Sequence, residues 1–399
     1  MHSNRTPDKG ISRKQFLAAA AALGVAGATM AATPAEAAEP ASASAAGADR
    51  HSVRYRGVCY TVGAGETPAT AYNADRMRED VHAIKEQLHA NSIKVTGDGV
   101  DRLTTTAEAA AQRGLHLRIE PTLGDRPPQE ILDHLAETGR YAERLRRGGA
   151  RVELSVGCEF FLFVPGIVPG DDAVERINNL TSGNFDPQRM QKELARFTAR
   201  AARTGRSVFR GPLSYAAAQD EDVDWNLFDI VGIDYYSNHP RRQDHVRELR
   251  RYLRHGKPVT IAEFGTCTYR GAPAKGGMGW QMVDYSKHPP RINEPLVRSE
   301  QTQADYLSTV YDACESVGLY SAYAYEFITP DAPHWPKDPC HDLDMVSYSI
   351  VKTIQDTPGA PESPWHWEPK QAFHTLARHF ARAASHHPTI GAPSPGPRS

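Results

Sequence analysis

From residue 55 onward, short runs rich in β-branched and aromatic residues alternate with stretches whose apolar residues recur every three or four positions. The first kind predicts strands over 55–60, 91–96, 115–120, 151–157, 207–213, 228–235, 258–263 and 319–326. Between them, Met77, Val81, Ile84 and Leu88 share one helical face, as do Met190, Leu194, Phe197 and Ala201. Val246, Leu249 and Leu253 make a third face, and Leu307, Val310, Cys314 and Val317 a fourth. A last helix is expected over 370–382, with Phe373, Leu376 and Phe380 on its apolar side. Gly114, Gly149, Gly205 and Gly256 stand where helices are expected to end, a position that favours glycine because it takes up the left-handed conformation without a Cβ clash.

Strands that alternate with helices imply a parallel sheet. Eight such units predict a closed (β/α)8 TIM barrel, since the turn after the first strand, Thr61-Val62-Gly63-Ala64-Gly65-Glu66, lacks the third glycine of a dinucleotide fingerprint. No repeat of 20–50 residues is visible, which argues against a solenoid. The connections entering strands are short. Those leaving strands 4, 7 and 8 are long, at 160–185, 264–298 and 327–369. Barrel enzymes build their sites on that face. Trp280, Trp335, Trp365 and Trp367 fall in two of these loops. Indole planes stack on the apolar faces of sugar rings, so tryptophans here suit a carbohydrate cleft, with Trp280 and Trp335 the foremost substrate-binding candidates; filling space beneath long loops is their other role.

The first fifty residues stand apart. Ser12-Arg13-Lys14-Gln15-Phe16-Leu17 precedes an Ala/Gly-rich apolar run, and Ala35-Glu36-Ala37 supplies a small-x-small cleavage site. Residues 1–37 therefore read as a signal peptide resembling a twin-arginine leader with Lys14 in place of the second arginine, and the protein is expected to be secreted, by the Tat route. An Ala/Ser/Pro-rich tether at 38–50, the barrel at 51–384 and a disordered tail at 385–399 complete the expected domain plan. The formal charge is −2 with Lys and Arg dispersed, so no basic face suits nucleic acid and nothing suggests a membrane surface after leader removal. Five scattered cysteines do not make a disulfide scaffold.

The chemistry concentrates where predicted strands meet their loops. Asp98, Glu120, Glu159, Asp234, Glu263 and Glu326 all occupy such positions. Glu159 and Glu263 lie in unusually apolar settings, Val156-Gly157-Cys158-Glu159-Phe160-Phe161 and Thr260-Ile261-Ala262-Glu263-Phe264-Gly265. A carboxylate in such surroundings is costly unless it is paired, hydrogen-bonded or functional.

Lys257-Pro258-Val259-Thr260-Ile261-Ala262-Glu263-Phe264-Gly265 resembles the seventh strand of clan A retaining glycoside hydrolases, which ends in the nucleophile. Phe228-Asp229-Ile230-Val231-Gly232-Ile233-Asp234-Tyr235-Tyr236 is similar to their sixth strand, and Trp367-Glu368-Pro369-Lys370 resembles the start of their last helix. The resemblance covers about residues 53–383 and implies a glycosidase with a carbohydrate substrate and neither metal nor cofactor. It makes Glu263 the nucleophile and Glu159 the acid/base, with Tyr235 or Tyr236 hydrogen-bonded to the nucleophile. Asp98 and Glu326 are added as substrate-binding candidates from their strand-end positions. Two carboxyl groups are needed because one forms a covalent glycosyl ester while the other protonates the leaving oxygen and then activates water.

One residue departs from the pattern. Clan A members usually carry Asn before the acid/base, where it binds the sugar 2-hydroxyl; here it is Cys158, a poor donor. Arg118, Asn91 and His116 are candidates for the basic residues that the family places in its first strands. Cys158 keeps a second reading open, a non-catalytic carbohydrate-binding barrel. A metal-dependent barrel hydrolase is a third: His116, His239 and the thiols of Cys59, Cys158 and Cys267 are its conceivable ligands, but no His-x-His or Glu-x-x-His set is present. Thiol nucleophile chemistry at Cys158 lacks a local histidine base.

Overall fold

The computed structural model describes residues 52–385; the expected leader, the tether and the tail from 386 lie outside them. Eight strands close into a barrel: β1 (Tyr55–Val62), β2 (Ser92–Gly97), β3 (His116–Pro121), β4 (Val152–Cys158), β5 (Leu213–Ala218), β6 (Ile230–Asp234), β7 (Val259–Phe264) and β8 (Ser321–Ala324). Every barrel pairing is parallel and joins consecutive strands, and β8 returns to β1 through Tyr55 opposite Ser321. This is the expected (β/α)8 barrel.

Nine helices are described: α1 (Ala74–Glu86), α2 (Val100–Gln112), α3 (Pro128–Arg147), α4 (Phe160–Phe163), α5 (Ala173–Ser182), α6 (Pro187–Val208), α7 (Arg242–Leu253), α8 (Glu300–Val317) and α9 (Gln371–Ser385). Their starts are set by side chains that satisfy the free first-turn amides. Asn73 accepts from the amides of Asp75 and Arg76, both at 3.0 Å, Asp186 caps α6 just before Pro187, and Ser299 caps α8. No helix of the described residues is long and apolar enough to cross a membrane.

Four details differ from expectation. The fifth strand is not at 207–213 but at Leu213–Ala218, because the apolar stripe of α6 carries that helix to Val208 and the strand opens only after Pro212. Gly205 is therefore no helix terminus. It sits inside α6, where an added Cβ would lie 2.9 Å from Leu213 Cδ1 and 3.1 Å from Val156 Cγ1, so glycine here lets helix and sheet approach closely. Between β5 and β6 the α-helix is replaced by one 3-10 turn, Trp225–Leu227, and Leu253 at the end of α7 is exposed.

The interior of the barrel is polar. Ser92, Lys94 and Thr96 on β2 alternate with Ile93 and Val95; His116, Arg118 and Glu120 on β3 alternate with Leu117 and Ile119; Glu153 and Ser155 follow on β4, and all are buried. The lower layer is closed by Ser92, whose hydroxyl meets His116 Nδ1 at 2.9 Å and the Tyr323 hydroxyl at 2.7 Å. Above it, Arg118 pairs with Glu153 at 2.8 Å. The loops after β7 and β8 are bound to one another, by Thr268 N to Met345 O at 2.9 Å and Ile292 N to Cys340 O at 2.8 Å.

Candidate active site

The site is assembled by β2, β3, β4, β6 and β7. Lys94, fully buried, donates to Glu120 Oε1 at 2.7 Å and to Glu263 Oε1 at 2.8 Å. The other oxygen of Glu263 accepts from the Tyr236 hydroxyl at 2.8 Å. Each oxygen of Glu263 thus has a fixed donor. Burial still pushes its carboxyl up to about 7, with Glu120 adding to the shift while Lys94 and Tyr236 oppose it. Although burial works against its charge, the Lys94 ammonium is held well above its ordinary range by Glu120 and Glu263.

Glu159 links the end of β4 to the start of α4 with φ +38° and ψ 54°, a left-handed conformation uncommon outside glycine and costing of order 1–3 kcal/mol. Local contacts hold it there. Its amide donates to Ala216 O at 2.9 Å, and the next amide, of Phe160, donates to the Tyr215 hydroxyl at 2.7 Å. Tyr215 in turn donates to the Glu221 carboxylate at 2.8 Å, which also accepts from the amide of Ala218 at 3.1 Å. Phe160 stacks on Tyr215 with ring centroids 4.5 Å apart. Glu159 is 1% exposed, and its Oε2 has no hydrogen-bond partner among the described residues. Burial, then Asp234 and Glu263, hold its carboxyl well above the ordinary range.

Asp234, at the end of β6 and in register with Glu263, is the third member. It is 2% exposed, and neither carboxyl oxygen has a hydrogen-bond partner among the described residues. Burial first, and Glu263 next, keep it well above the usual carboxyl range. Glu159, Asp234 and Glu263 therefore form one electrostatically coupled group, in which Glu263 alone has a partner on both oxygens. Such an arrangement favours the protonated form of Glu159 and leaves Glu263 the best-supported carboxylate of the three.

The remaining predicted residues divide. Tyr236, not Tyr235, meets Glu263; the Tyr235 hydroxyl is 2.8 Å from His245 Nδ1 and donates to Glu248 at 3.0 Å. Asp98 is taken by Arg102 at 2.9 Å rather than joining the carboxyl group. Glu326 accepts from the hydroxyls of Thr61 at 2.5 Å and Thr329 at 2.9 Å. Trp280 and Trp335 line a common cavity bounded by the loops after β1, β7 and β8, whose walls include neither Glu159 nor Glu263. Tyr348 joins the two regions: it lines that cavity, and its ring lies 5.8 Å from that of Tyr236.

Cys158 is buried with its sulfur 3.7 Å from the Thr122 hydroxyl, and the charges of Glu120, Lys94 and Glu263 act on it. Cys59 feels the same charges, but Cys267 does not; its neighbours are Val346 O at 3.3 Å and Tyr348, so the three thiols do not converge. Among the described residues, the side-chain clusters close enough to share an ion are Asp312 with Glu315 and His379, and His334 with Asp342 and Asp344. Neither includes a strand-end residue, and in the second, Arg298 and Lys370 already neutralise Asp344 at 2.7 and 2.8 Å. Of the basic candidates, Arg118 reaches the site, 3.9 Å from Glu120, whereas Asn91 and His116 tie the starts of the strands. Lys94 went unnoticed in the sequence; the alternation Ser92-x-Lys94-x-Thr96 was its signal.

The barrel resembles in fold solved glycoside-hydrolase structures. Superposition on the GH113 β-mannanase of Alicyclobacillus acidocaldarius covers 84% of this chain and 99% of that one, with a TM-score of 0.51 and 16% identity. A second GH113 β-1,4-mannanase covers 82% of this chain and 99% of its own, with a TM-score of 0.51 and 14% identity. A β-glucuronidase of Bacteroides uniformis matches over 83% of this chain but only 35% of its own length, with a TM-score of 0.51 and 13% identity. No protein-family profile matches the chain, and neither does the sequence of any curated protein.

Proposed function

We propose that the chain is a secreted retaining glycoside hydrolase in which Glu263 is the nucleophile and Glu159 the acid/base. The observation that carries this reading is the unequal support of two buried carboxyl groups at the ends of β4 and β7. Glu263 is gripped by Lys94 and Tyr236, whereas Glu159 lies in an apolar turn that favours its protonated form. Its fold neighbours include mannanases and a glucuronidase, which makes a carbohydrate the substrate class to test first. In the first step Glu263 attacks the anomeric carbon as the bond to the leaving oxygen breaks, and the proton of Glu159 passes to that oxygen. In the second, water attacks the same carbon, gives its proton to Glu159 and releases Glu263. Export rests on the leader-like residues 1–37, which lie outside the described residues.

The test is a panel of aryl glycosides. Glu263→Ala is expected to lose turnover on all of them, because no glycosyl ester forms. Glu159→Ala is expected to keep activity on dinitrophenyl glycosides, whose leaving group departs without a proton, and to lose about 10²–10⁴-fold on poorer leaving groups. Azide should accelerate that variant and give a glycosyl azide of retained configuration. Equal turnover by wild type and Glu263→Ala would remove Glu263 from the nucleophile role. One observation favours a second reading, a non-catalytic carbohydrate-binding barrel: Cys158 replaces the donor usual beside the acid/base. Wild-type protein that binds saccharides and turns over none of them would establish it.

A further inference from the structure

Tyr236 supplies one of the hydrogen bonds that hold Glu263, yet it stands outside the sheet. β6 ends at Asp234. Tyr235 N still bonds Glu263 O at 2.7 Å, but the next amide, that of Tyr236, donates to a side chain, Gln219 Oε1, at 3.0 Å. Gln219 follows β5 and spans the gap to the loop after β6. Its Nε2 donates to Ser237 Oγ at 2.8 Å and to Glu248 Oε1 at 3.0 Å. Both N–H groups and the carbonyl of this amide are therefore used. The backbone that presents the Tyr236 hydroxyl to Glu263 depends on it.

Glu248, on the second turn of α7, holds the far end of the network. Its Oε2 accepts from the Tyr235 hydroxyl at 3.0 Å and lies 2.7 Å from His239 Nε2, which leaves Oε1 to Gln219. His245, one turn earlier, meets the Tyr235 hydroxyl through Nδ1 at 2.8 Å and the His239 carbonyl through Nε2 at 3.1 Å. From α8, the Tyr306 hydroxyl donates to Ser237 O at 3.1 Å. Residues 235–239 belong to no strand or helix, and side chains tie them to the outer layer instead. Glu248 differs from the other anchors of Gln219. A carboxylate only accepts, and a hydrogen bond to a charged acceptor is stronger than one between neutral groups. The Ser237 hydroxyl can donate or accept and so holds either end of the amide. Glu248 therefore sets how firmly the Gln219 oxygen is kept toward Tyr236.

We infer that Glu248, in the helical layer outside the barrel, is a positioning residue for the nucleophile: through Gln219 it fixes the Tyr236 backbone, and with it the hydroxyl that donates to Glu263. The consequence for turnover rests on the glycosidase reading; the placement of Tyr236 does not. Hydrogen–deuterium exchange in peptides covering residues 235–239 should be at least about tenfold faster in Glu248→Ala than in wild type. It should stay near wild type in Glu248→Gln, whose amide still offers an oxygen to Gln219. On aryl glycosides, Glu248→Ala should lower kcat about ten- to a hundredfold with KM changed by less than about threefold, and Glu248→Gln should recover most of that loss. On the Tyr236→Phe background, which already lacks the hydroxyl, Glu248→Ala should add little, because both changes act on the same bond. Gln219→Leu, which breaks the link at its other end, should reproduce both effects, so neither test depends on a single variant remaining folded; circular-dichroism melts check each one. Unaltered exchange in Glu248→Ala overturns the inference whatever the kinetics. Faster exchange with unchanged kcat, or losses that multiply in the double variant, overturns its catalytic part. A wild type that turns over no glycoside removes the glycosidase reading, and exchange then decides the placement alone.

Discussion

Asp234 is the residue whose setting is least satisfied. Both its oxygens are buried without hydrogen-bond partners among the described residues, next to two further carboxyl groups. After burial, it is the largest contributor to the raised carboxyl of Glu159. A neutral amide of the same shape removes that repulsion, so Asp234→Asn should let Glu159 lose its proton more easily. If Glu159 is the general acid, the alkaline limb of the kcat/KM profile should move to lower pH in this variant; an unmoved limb would show that Asp234 does not act on the acid. The acid positions were legible in the sequence because carboxylates among apolar residues at strand ends are conspicuous. Which tyrosine served Glu263 was not, since Tyr235 and Tyr236 are adjacent and only the register of β6 decides which points inward. Lys94 was hidden for a related reason: a lysine in a strand reads as solvent-facing until the barrel closes around it.

At the scale of elements, the junction of β4 with α4 carries the most specific construction. Gly157 has φ +141°, and an added Cβ would meet Phe160 at 2.6 Å, so the chain turns tightly before presenting Glu159 in its left-handed conformation. The clamp comes from β5 and the turn after it, through Tyr215 and Glu221. Tyr215→Phe keeps the ring stack but leaves the buried Phe160 amide without its acceptor. It should destabilise the protein by about 1–3 kcal/mol, read by urea unfolding. It should also lower kcat more than it changes KM, because it loosens the placement of Glu159 while leaving the cavity loops intact; an unchanged kcat would make the clamp purely structural. None of this clamp was visible in the sequence. The fifth strand was expected six residues early because the β-branched and aromatic residues at 207–213 resemble a strand more than Leu-Ser-Tyr-Ala-Ala-Ala does, and tertiary packing of α6 overrode local preference.

At the scale of the whole molecule, the barrel interior holds more acid than base among the described residues. Glu120, Glu153, Glu159, Asp234 and Glu263 lie inside the barrel with Lys94 and Arg118, and such an imbalance is relieved by protonation rather than by solvent. The consequence is a stability that depends on pH in a definite direction. Burial raises Asp80 to about 6, Glu263 to about 7 and Glu221 to about 8, from ordinary values of 3.8 for Asp and 4.5 for Glu. A carboxyl raised on folding stabilises the native state fully below its unfolded value, and that stabilisation is lost as pH rises through the folded value. Buried histidines act oppositely: burial depresses His116 to about 3 from 6.5, so its contribution is lost only as pH falls below 6.5. The two classes oppose each other in acid. Between about pH 6.5 and 8 the histidine contribution is already complete and the carboxyl groups alone titrate, so the melting temperature should fall across that interval. Calorimetry or circular-dichroism melts at half-unit steps would measure it. Glu221→Gln, which keeps the shape but removes one of the late-titrating groups, should flatten the upper part of the slope. A melting temperature that does not fall between pH 6.5 and 8 would mean that these buried acids are already ionised in the native state.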